Sequence, residues 1–200
     1  MSVKIILDTP TSESLQFLLE EMVDDPYVGR LNAPTREVWI DFWKNKIEER
    51  READIQSTVA YIGSGIVGIA FSRPLGDQSV YANVIPKNDY WKMGNFYVLK
   101  AFRGQGIGKK ALAYFLEVKN RKVFYFADRT NAASNAVASA NGMFHTHDFL
   151  MGKVTGKGEL CKKDQNIRSP ATYFRVYCGE IPPKKTLLKP FYAEKSHYEN

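Results

Sequence analysis

Hydrophobic residues recur along the chain at two spacings, one that fits helices and one that fits strands. Four segments repeat apolar residues every three to four positions, as amphipathic helices do. Seven shorter apolar runs are bounded by turn residues, as strands are. The predicted order is strand 3–8, helix 11–22, helix 34–53, strand 57–62, strand 66–72, strand 95–99, helix 109–119, strand 123–127, helix 131–140, strand 144–153 and strand 172–178. This order predicts an α/β protein with a mixed sheet and helices on both faces.

Chain length and hydrophobic content predict one domain. With 200 residues, 44% of them hydrophobic, the chain suffices for a single sizeable core. We expect this domain to span residues 1–180, followed by a proline-punctuated tail at 181–200. The tail's apolar residues would pack on the domain or on a second subunit, which would form a homodimer. No apolar stretch approaches the roughly 20 residues of a membrane span, and no signal peptide is evident, so a cytoplasmic protein without membrane contact is expected.

The charged residues and the cysteines limit the choice of partner. The net charge of +6 suits nucleic acid or a polyphosphate cofactor, but the basic residues form no nucleic-acid motif, so no nucleic-acid partner is expected. Cys161 and Cys178 lack the spacing of a zinc site or a disulfide framework. His145 and His147 would share one face of a strand, an arrangement that can bind metal, but further ligands are missing nearby. We therefore predict no metal.

One glycine-rich segment has the composition of a phosphate-binding loop. Residues 95–110 read NFYVLKAFRGQGIGKK, with a predicted strand before the glycines and a predicted helix after them. Glycines at alternate positions allow a tight turn whose N–H groups point at one anion, and the helix N-terminus adds its positive dipole end. The spacing of the glycines fits neither the P-loop of nucleoside triphosphatases nor the G-x-G-x-x-G fingerprint of dinucleotide-binding proteins. The segment therefore predicts a phosphate or pyrophosphate site of another kind.

This segment resembles the signature of a known family. Arg103-Gly104-Gln105-Gly106-Ile107-Gly108 is similar to the R/Q-x-x-G-x-G/A motif of the GNAT family of N-acetyltransferases. Asn131 opens a predicted helix, and Gly142 follows eleven residues later, the spacing that this family uses between its Asn and its Gly-Phe pair. The two signatures agree in order and in distance.

The resemblance implies a fold, a reaction and a set of binding residues. The fold is a mostly antiparallel sheet with a splayed central pair of strands, between which the pantetheine arm lies. The reaction transfers an acetyl group from acetyl-CoA to a primary amine, by direct attack in a ternary complex. A backbone N–H near residues 96–98 would polarise the thioester carbonyl. The coenzyme-binding residues implied are Phe96, Tyr97, Val98, Arg103, Gly104, Gln105, Gly106, Ile107, Gly108, Lys109 and Asn131.

The sequence departs from the family where proton transfer is concerned. The position of the usual tyrosine acid holds Ala138, and the two positions of a glutamate base hold Phe126 and Asn95. Asp128 and Tyr97 are candidates for the base, and Ser139 is a candidate for the acid. The missing acid and base also motivate an alternative, a non-catalytic acyl-CoA-binding or regulatory domain.

The acceptor is expected to be a small-molecule or peptide amine, bound by aromatic and acidic residues. Carboxylates and aromatic rings suit a cationic amine. For Trp39 and Trp43, one turn apart on a predicted helix, a place in the core is the alternative. The candidates are Asp24, Asp25, Tyr27, Trp39, Trp43, Tyr81, Tyr90 and Trp91.

Overall fold

The computed structural model describes residues 2–25, 35–74, 90–151 and 172–180. In chain order the elements are β1 (Val3–Asp8), α1 (Gln16–Met22), α2 (Arg36–Glu52), β2 (Ser57–Ile62), β3 (Gly65–Pro74), β4 (Trp91–Val98), a short 3-10 helix (Lys100–Phe102), α3 (Ile107–Val118), β5 (Val123–Asp128), α4 (Ala132–Ala140), β6 (Phe144–Met151) and β7 (Thr172–Cys178). Every predicted helix and strand has a counterpart among these elements. The predicted tail at 181–200 and Cys161 lie outside the described residues.

The fold class is confirmed. The seven strands have the order β1-β2-β3-β4-β5-β7-β6. The β1/β2, β2/β3, β5/β7 and β6/β7 pairs are antiparallel. The chain divides into two compact units, whose described residues are 2–25, 35–73 and 93–120 in the first, and 74, 90–92, 121–151 and 172–180 in the second. The single domain over residues 1–180 stays a prediction.

The first helix is shorter than predicted. Residues 12–15 form a turn, in which the Thr11 hydroxyl oxygen accepts a hydrogen bond from the Ser14 N–H, and the Ser14 hydroxyl donates to the Thr11 carbonyl. Serine and threonine compete with helix formation through such local bonds. The helix therefore begins at Gln16, although the apolar spacing starts earlier.

In the first unit, helices cover both faces of the strands, as predicted. On one face, α1 and α2 pack on residues of β2, β3 and β4, including Val59, Ile69 and Tyr97. On the other face, Ile107 of α3 packs with Ala60 and Val67. The predicted hairpin between β2 and β3 turns at Gly63, whose φ of +58° explains the glycine.

The tryptophans of α2 belong to the core of this unit. Trp39 and Trp43 are only 1% and 7% exposed. Their rings contact each other, and the ring of Trp43 stacks on Phe71 with 5.0 Å between centroids. Both side chains are therefore part of the hydrophobic core, which was the alternative predicted for them.

In the second unit, β5 is buried along its whole length and pairs with β7. Strand β7 in turn pairs with β6, and the register shifts by one residue between His145 and His147, which pair with the neighbouring residues Tyr177 and Val176. This bulge breaks the regular alternation of faces. The side chain of His147 lies outside the described residues, so the expectation that the two histidines share a face stays a prediction.

Candidate functional site

The candidate site in the first unit begins at an irregularity in β4. Asn95, in the interior of this strand, has a φ of +48°, a left-handed conformation that is uncommon for residues other than glycine. Such a residue interrupts the regular pleat of a strand. Residues 96–98, which the resemblance assigns to the pantetheine arm, follow directly after it.

The glycine loop after β4 depends on left-handed backbone. Gly104 and Gly106 have φ values of +78° and +74°. A Cβ atom added at either position would meet no atom within 4 Å. The backbone conformation, rather than a lack of space, therefore requires glycine here, and the loop borders open space that a ligand can enter.

Helix α3 begins with an open N-terminus. Its N-cap residue is Gly106, and no side chain caps the helix. The first N–H groups of any helix lack partners within the helix and carry the positive end of its dipole. Ile107 is buried and anchors this first turn, whereas Lys109 and Lys110 are exposed. The uncapped turn beside open space fits a phosphate or pyrophosphate group.

A carboxylate of α1 contacts the segment between β4 and the glycine loop. Glu21 Oε1 accepts hydrogen bonds from the Tyr97 hydroxyl at 2.9 Å and from the Lys100 backbone N–H at 2.6 Å. Glu21 was not among the predicted site residues, because it belongs to no motif and lies 76 residues before Tyr97. The one feature of the sequence that could have pointed to Glu21 is its position near the end of a predicted helix, just before the acceptor candidates Asp24 and Asp25.

Arg103 is held by three contacts within the first unit. Its Nε donates to the Val98 carbonyl at 2.9 Å, and its Nη2 lies 3.2 Å from an Asp25 carboxylate oxygen. Its guanidinium carbon lies 4.9 Å from the centroid of the Tyr97 ring. These contacts direct the side chain toward the end of β4 and toward α1.

Tyr97 is arranged as a hydrogen-bond donor. Its side chain is 2% exposed. Burial, followed by the hydrogen bond to Glu21, raises the pKa of the Tyr97 hydroxyl well above its usual range. The phenol therefore keeps its proton at neutral pH, and the geometry does not favour it as a base.

In the second unit, the junction between β5 and α4 holds two predicted residues. Asn131 is the N-cap of α4, and its side-chain oxygen accepts from the Ser134 N–H at 3.0 Å. Asp128 is 7% exposed, and its Oδ1 accepts from the N–H and the hydroxyl of Thr130 at 2.8 and 2.7 Å. These bonds fix both side chains at the start of the helix.

Asn135 reinforces this junction and was also missed in the sequence. The side chain is buried, and its amide nitrogen donates to the Asp128 and Asn131 carbonyls at 2.8 and 2.7 Å. Its oxygen accepts from the Tyr177 hydroxyl at 2.7 Å. A polar residue at a buried position of an alanine-rich helix was the available signal.

Ser139 does not join either group. It is exposed on the last turn of α4, next to Ala138, which is fully buried. The structure thus brings Tyr97, Val98 and Arg103 together in the first unit, and Asp128 and Asn131 together in the second. Phe96 is half-buried on β4, and Gln105 is exposed between Gly104 and Gly106.

The remaining acceptor candidates have varied surroundings. Asp24 forms an exposed ion pair with Arg36 at 2.9 Å, and the Tyr90 hydroxyl donates to Glu180. Trp91 is half-buried. Tyr27 and Tyr81 lie outside the described residues.

The described residues contain neither a cluster of potential metal ligands nor a helix that could span a membrane. Within residues 2–25, 35–74, 90–151 and 172–180, no three potential ligands among His, Cys, Asp and Glu cluster as a metal site would require. His145 instead contacts Asp148, with 2.7 Å between Nε2 and Oδ1. None of the helices in these ranges combines the length and the apolar character needed to cross a bilayer.

Comparison with known proteins identifies the family. The model of the acetyltransferase (GNAT) family matches residues 15–143, which include the glycine loop, Asn131 and Gly142. The chain therefore belongs to the GNAT family of acetyltransferases and is an acyltransferase by family. A search of curated protein sequences gave no significant match.

Solved structures with a similar fold include three bacterial and archaeal proteins. An N-acetyltransferase from Staphylococcus aureus is 14% identical, with a TM-score of 0.60, and the match covers 88% of this chain and 97% of that one. YncA from Salmonella typhimurium, solved with acetyl-CoA, is 12% identical with a TM-score of 0.61 and coverages of 92% and 97%. The PaiA N-acetyltransferase from Thermoplasma acidophilum, solved with coenzyme A, is 15% identical with a TM-score of 0.54 and coverages of 89% and 99%.

Proposed function

We propose that this chain transfers an acetyl group from acetyl-CoA to a primary amine on a small molecule or a peptide. The observation that carries the proposal is the uncapped N-terminus of α3 beside a loop with two left-handed glycines. Membership of the GNAT family supports the same reading. The similarity in fold to YncA and PaiA, which were solved with acetyl-CoA and coenzyme A, is consistent with it.

The proposed binding residues divide by the part of the coenzyme they would contact. The pyrophosphate would accept hydrogen bonds from the backbone of the glycine loop, residues 104–108, with Lys109 nearby. Phe96, Tyr97 and Val98 would offer backbone groups to the pantetheine arm and the thioester. Asn131 would contact the arm through its amide nitrogen, because its oxygen already accepts the Ser134 N–H. Arg103 would contribute by fixing the Val98 carbonyl rather than by pairing with phosphate.

The proposed reaction is direct attack in a ternary complex. The amine nitrogen attacks the thioester carbonyl, the C–N bond forms, the C–S bond breaks, and coenzyme A leaves as a thiolate that takes up a proton. A thiol with a pKa near the roughly 8.5 of cysteine is a tolerable leaving group without a dedicated acid. This chemistry agrees with a buried Ala138 where the family often has tyrosine. Ser139, which is exposed, stays a predicted acid only.

We assign the proton acceptor to Asp128 in preference to Tyr97. An alkylamine is protonated at neutral pH and must lose a proton before it attacks. Asp128 is a carboxylate at the end of β5, whereas the Tyr97 hydroxyl donates its own proton to Glu21. We also propose a cytoplasmic location, in keeping with the low cysteine content of the chain, which has only Cys161 and Cys178.

The test combines binding and turnover. Acetyl-CoA is titrated calorimetrically into wild type, Gly106→Trp and Gly63→Trp, and thiol release is then followed with a panel of primary amines. Gly63 is a matched control, because it also has a positive φ and open space around its Cβ position but lies in the β2–β3 hairpin. We expect binding by wild type and Gly63→Trp, loss of binding by Gly106→Trp, and thiol release with at least one amine.

The other outcomes separate the alternatives. Binding without thiol release over a broad panel favours the non-catalytic acyl-CoA-binding domain. Failure of the wild type to bind acetyl-CoA contradicts the proposed function. Equal loss of binding in both tryptophan variants means that strain in the backbone, rather than occupation of the loop, is responsible.

A further inference from the structure

The end of β4 is fixed from several directions within the first unit. The Leu99 N–H donates to the Val67 carbonyl at 3.0 Å, and the Val98 carbonyl accepts from Arg103. On the neighbouring strand β3, a Cβ atom at Gly68 would meet the Tyr97 carbonyl oxygen at 3.1 Å, so the backbones approach closely there. The peptide groups around Val98 therefore have little freedom to shift.

Glu21 supplies the contact that ties this strand end to α1. One oxygen, Oε1, accepts both the Tyr97 hydroxyl and the Lys100 N–H, which flank Val98 on its two sides. The Tyr97 hydroxyl also lies 3.2 Å from the Glu21 backbone oxygen. Both bonds need only an acceptor oxygen, which a neutral amide offers as well as a carboxylate does.

We propose that Glu21 is a positioning residue for the coenzyme-binding strand, acting through Tyr97 and the Lys100 N–H. This inference rests on the proposed function, in which the backbone around Val98 contacts the thioester. A donor that polarises a carbonyl must be held within about half an ångström of its productive place. Loss of the Glu21 contacts is therefore expected to slow the reaction more than it weakens the binding of acetyl-CoA.

Three variants separate positioning from charge. Glu21→Ala removes both contacts and should lower kcat by about tenfold, roughly the rate equivalent of losing one ordinary hydrogen bond. Glu21→Gln keeps an acceptor oxygen and should stay within about threefold of wild type, with the acidic limb of the pH–rate profile unchanged. Glu20→Ala is the control, since it removes the same charge from the neighbouring position of α1, whose carboxylate contacts Gln16.

Hydrogen exchange tests the positioning without any ligand. The peptide that contains Leu99 and Lys100 should exchange faster in Glu21→Ala than in wild type, Glu21→Gln and Glu20→Ala, whose exchange should agree. This measurement stands even if wild type neither binds acetyl-CoA nor turns over, so failure of the proposed function is distinguishable from failure of the inference.

Two results overturn the proposal. If Glu21→Gln is as slow as Glu21→Ala and loses the acidic limb of its pH profile, Glu21 acts through its charge. If Glu21→Ala leaves both the exchange of this peptide and kcat unchanged, and lowers only the melting temperature, Glu21 contributes to stability alone.

Discussion

Two junctions of this chain connect a strand to a helix, and they differ in how the first turn of the helix is satisfied. At the β4–α3 junction the N-cap is a glycine without a side chain, and α3 keeps an open N-terminus. At the β5–α4 junction the Asn131 side chain caps α4, and Asn135 bonds the carbonyls that precede it. The same local topology thus produces an uncapped turn in one case, where we propose that the pyrophosphate binds, and a side-chain-capped turn in the other.

The difference shows which groups a ligand can use. Backbone N–H groups bind an anion only if no side chain already accepts from them. At the α3 junction the N-cap residue, Gly106, has no side chain that could accept from them. This junction also has contacts to Glu21 and Asp25. At the α4 junction the polar side chains hydrogen-bond to one another and to the local backbone. A ligand there could bind only groups that these bonds do not use, such as the Asn131 amide nitrogen.

The largest expected effect comes from placing a charge at the open junction. Gly106→Asp should weaken acetyl-CoA binding by roughly a thousandfold, because a carboxylate about 4 Å from a phosphate repels it by about 4 kcal/mol at an effective dielectric constant near 20. Gly106→Asn introduces a side chain of the same shape as aspartate but without the charge. Asparagine and aspartate both occur at positive φ more often than most residues other than glycine. Gly106→Asn should bind within about tenfold of wild type. Calorimetric titration of acetyl-CoA at two salt concentrations measures both.

Equal losses in the two Gly106 variants would point to steric exclusion instead of charge. Undiminished binding by Gly106→Asp would place the phosphates elsewhere, and the contrast between the two junctions would lose its functional meaning. Urea unfolding of both variants serves as the control, because their free energies of unfolding should be similar.

A smaller effect is expected at the closed junction, where the capping bond of Asn131 can be separated from its proposed contact with the pantetheine arm. Asn131→Ala removes the cap and should lower the free energy of unfolding by about 1 kcal/mol. Asn131→Asp keeps a capping oxygen and should leave stability close to wild type, since aspartate is as good an N-cap. If the amide nitrogen binds the pantetheine arm, both variants lose affinity for acetyl-CoA.

Unfolding and titration of these two variants therefore report on different atoms of one side chain. Wild-type affinity in Asn131→Asp would reduce Asn131 to a helix cap. Equal stability of Asn131→Ala and wild type would contradict the capping bond.

The sequence predicted the parts of these junctions that depend on neighbouring residues. The glycine loop and the Asn131 cap are local patterns, because a tight turn or a cap is made by residues within a few positions. Glu21 and Tyr97 are 76 positions apart, and Asn135 and Tyr177 are 42 apart. No local spacing encodes such pairs, so only the folded chain reveals that Glu21 of α1 contacts the end of β4. The start of α1 was predicted too early for a different reason. The apolar spacing continues through residues 12–15, but there the hydroxyl side chains of Thr11 and Ser14 stabilise a turn instead of a helix.

The smallest expected effect compares a buried tyrosine at each junction in alkaline solution. Burial raises the pKa of Tyr125, beside α4, to about 12, although its bond to Ser134 lowers it. Burial also raises the pKa of Tyr97, and there the Glu21 bond adds to the increase. An unfolded tyrosine titrates near pH 10, so above that pH the folded state holds more protons than the unfolded state, and stability falls as the pH rises.

For Tyr125 this loss should amount to about 0.7 kcal/mol between pH 9.5 and 10.5, and Tyr125→Phe should remove that part of the pH dependence. Urea unfolding of the two proteins at both pH values measures it, with pH 7 and 8 as the control range in which tyrosines do not titrate. Tyr97→Phe should flatten the same curve, because the carboxylate beside it also opposes ionisation. If the free energy of unfolding of either variant falls as much as that of wild type over this range, the tyrosine that it lacks has the same pKa in the folded and the unfolded chain. The junction beside that tyrosine would then be more accessible to water than the folded structure indicates.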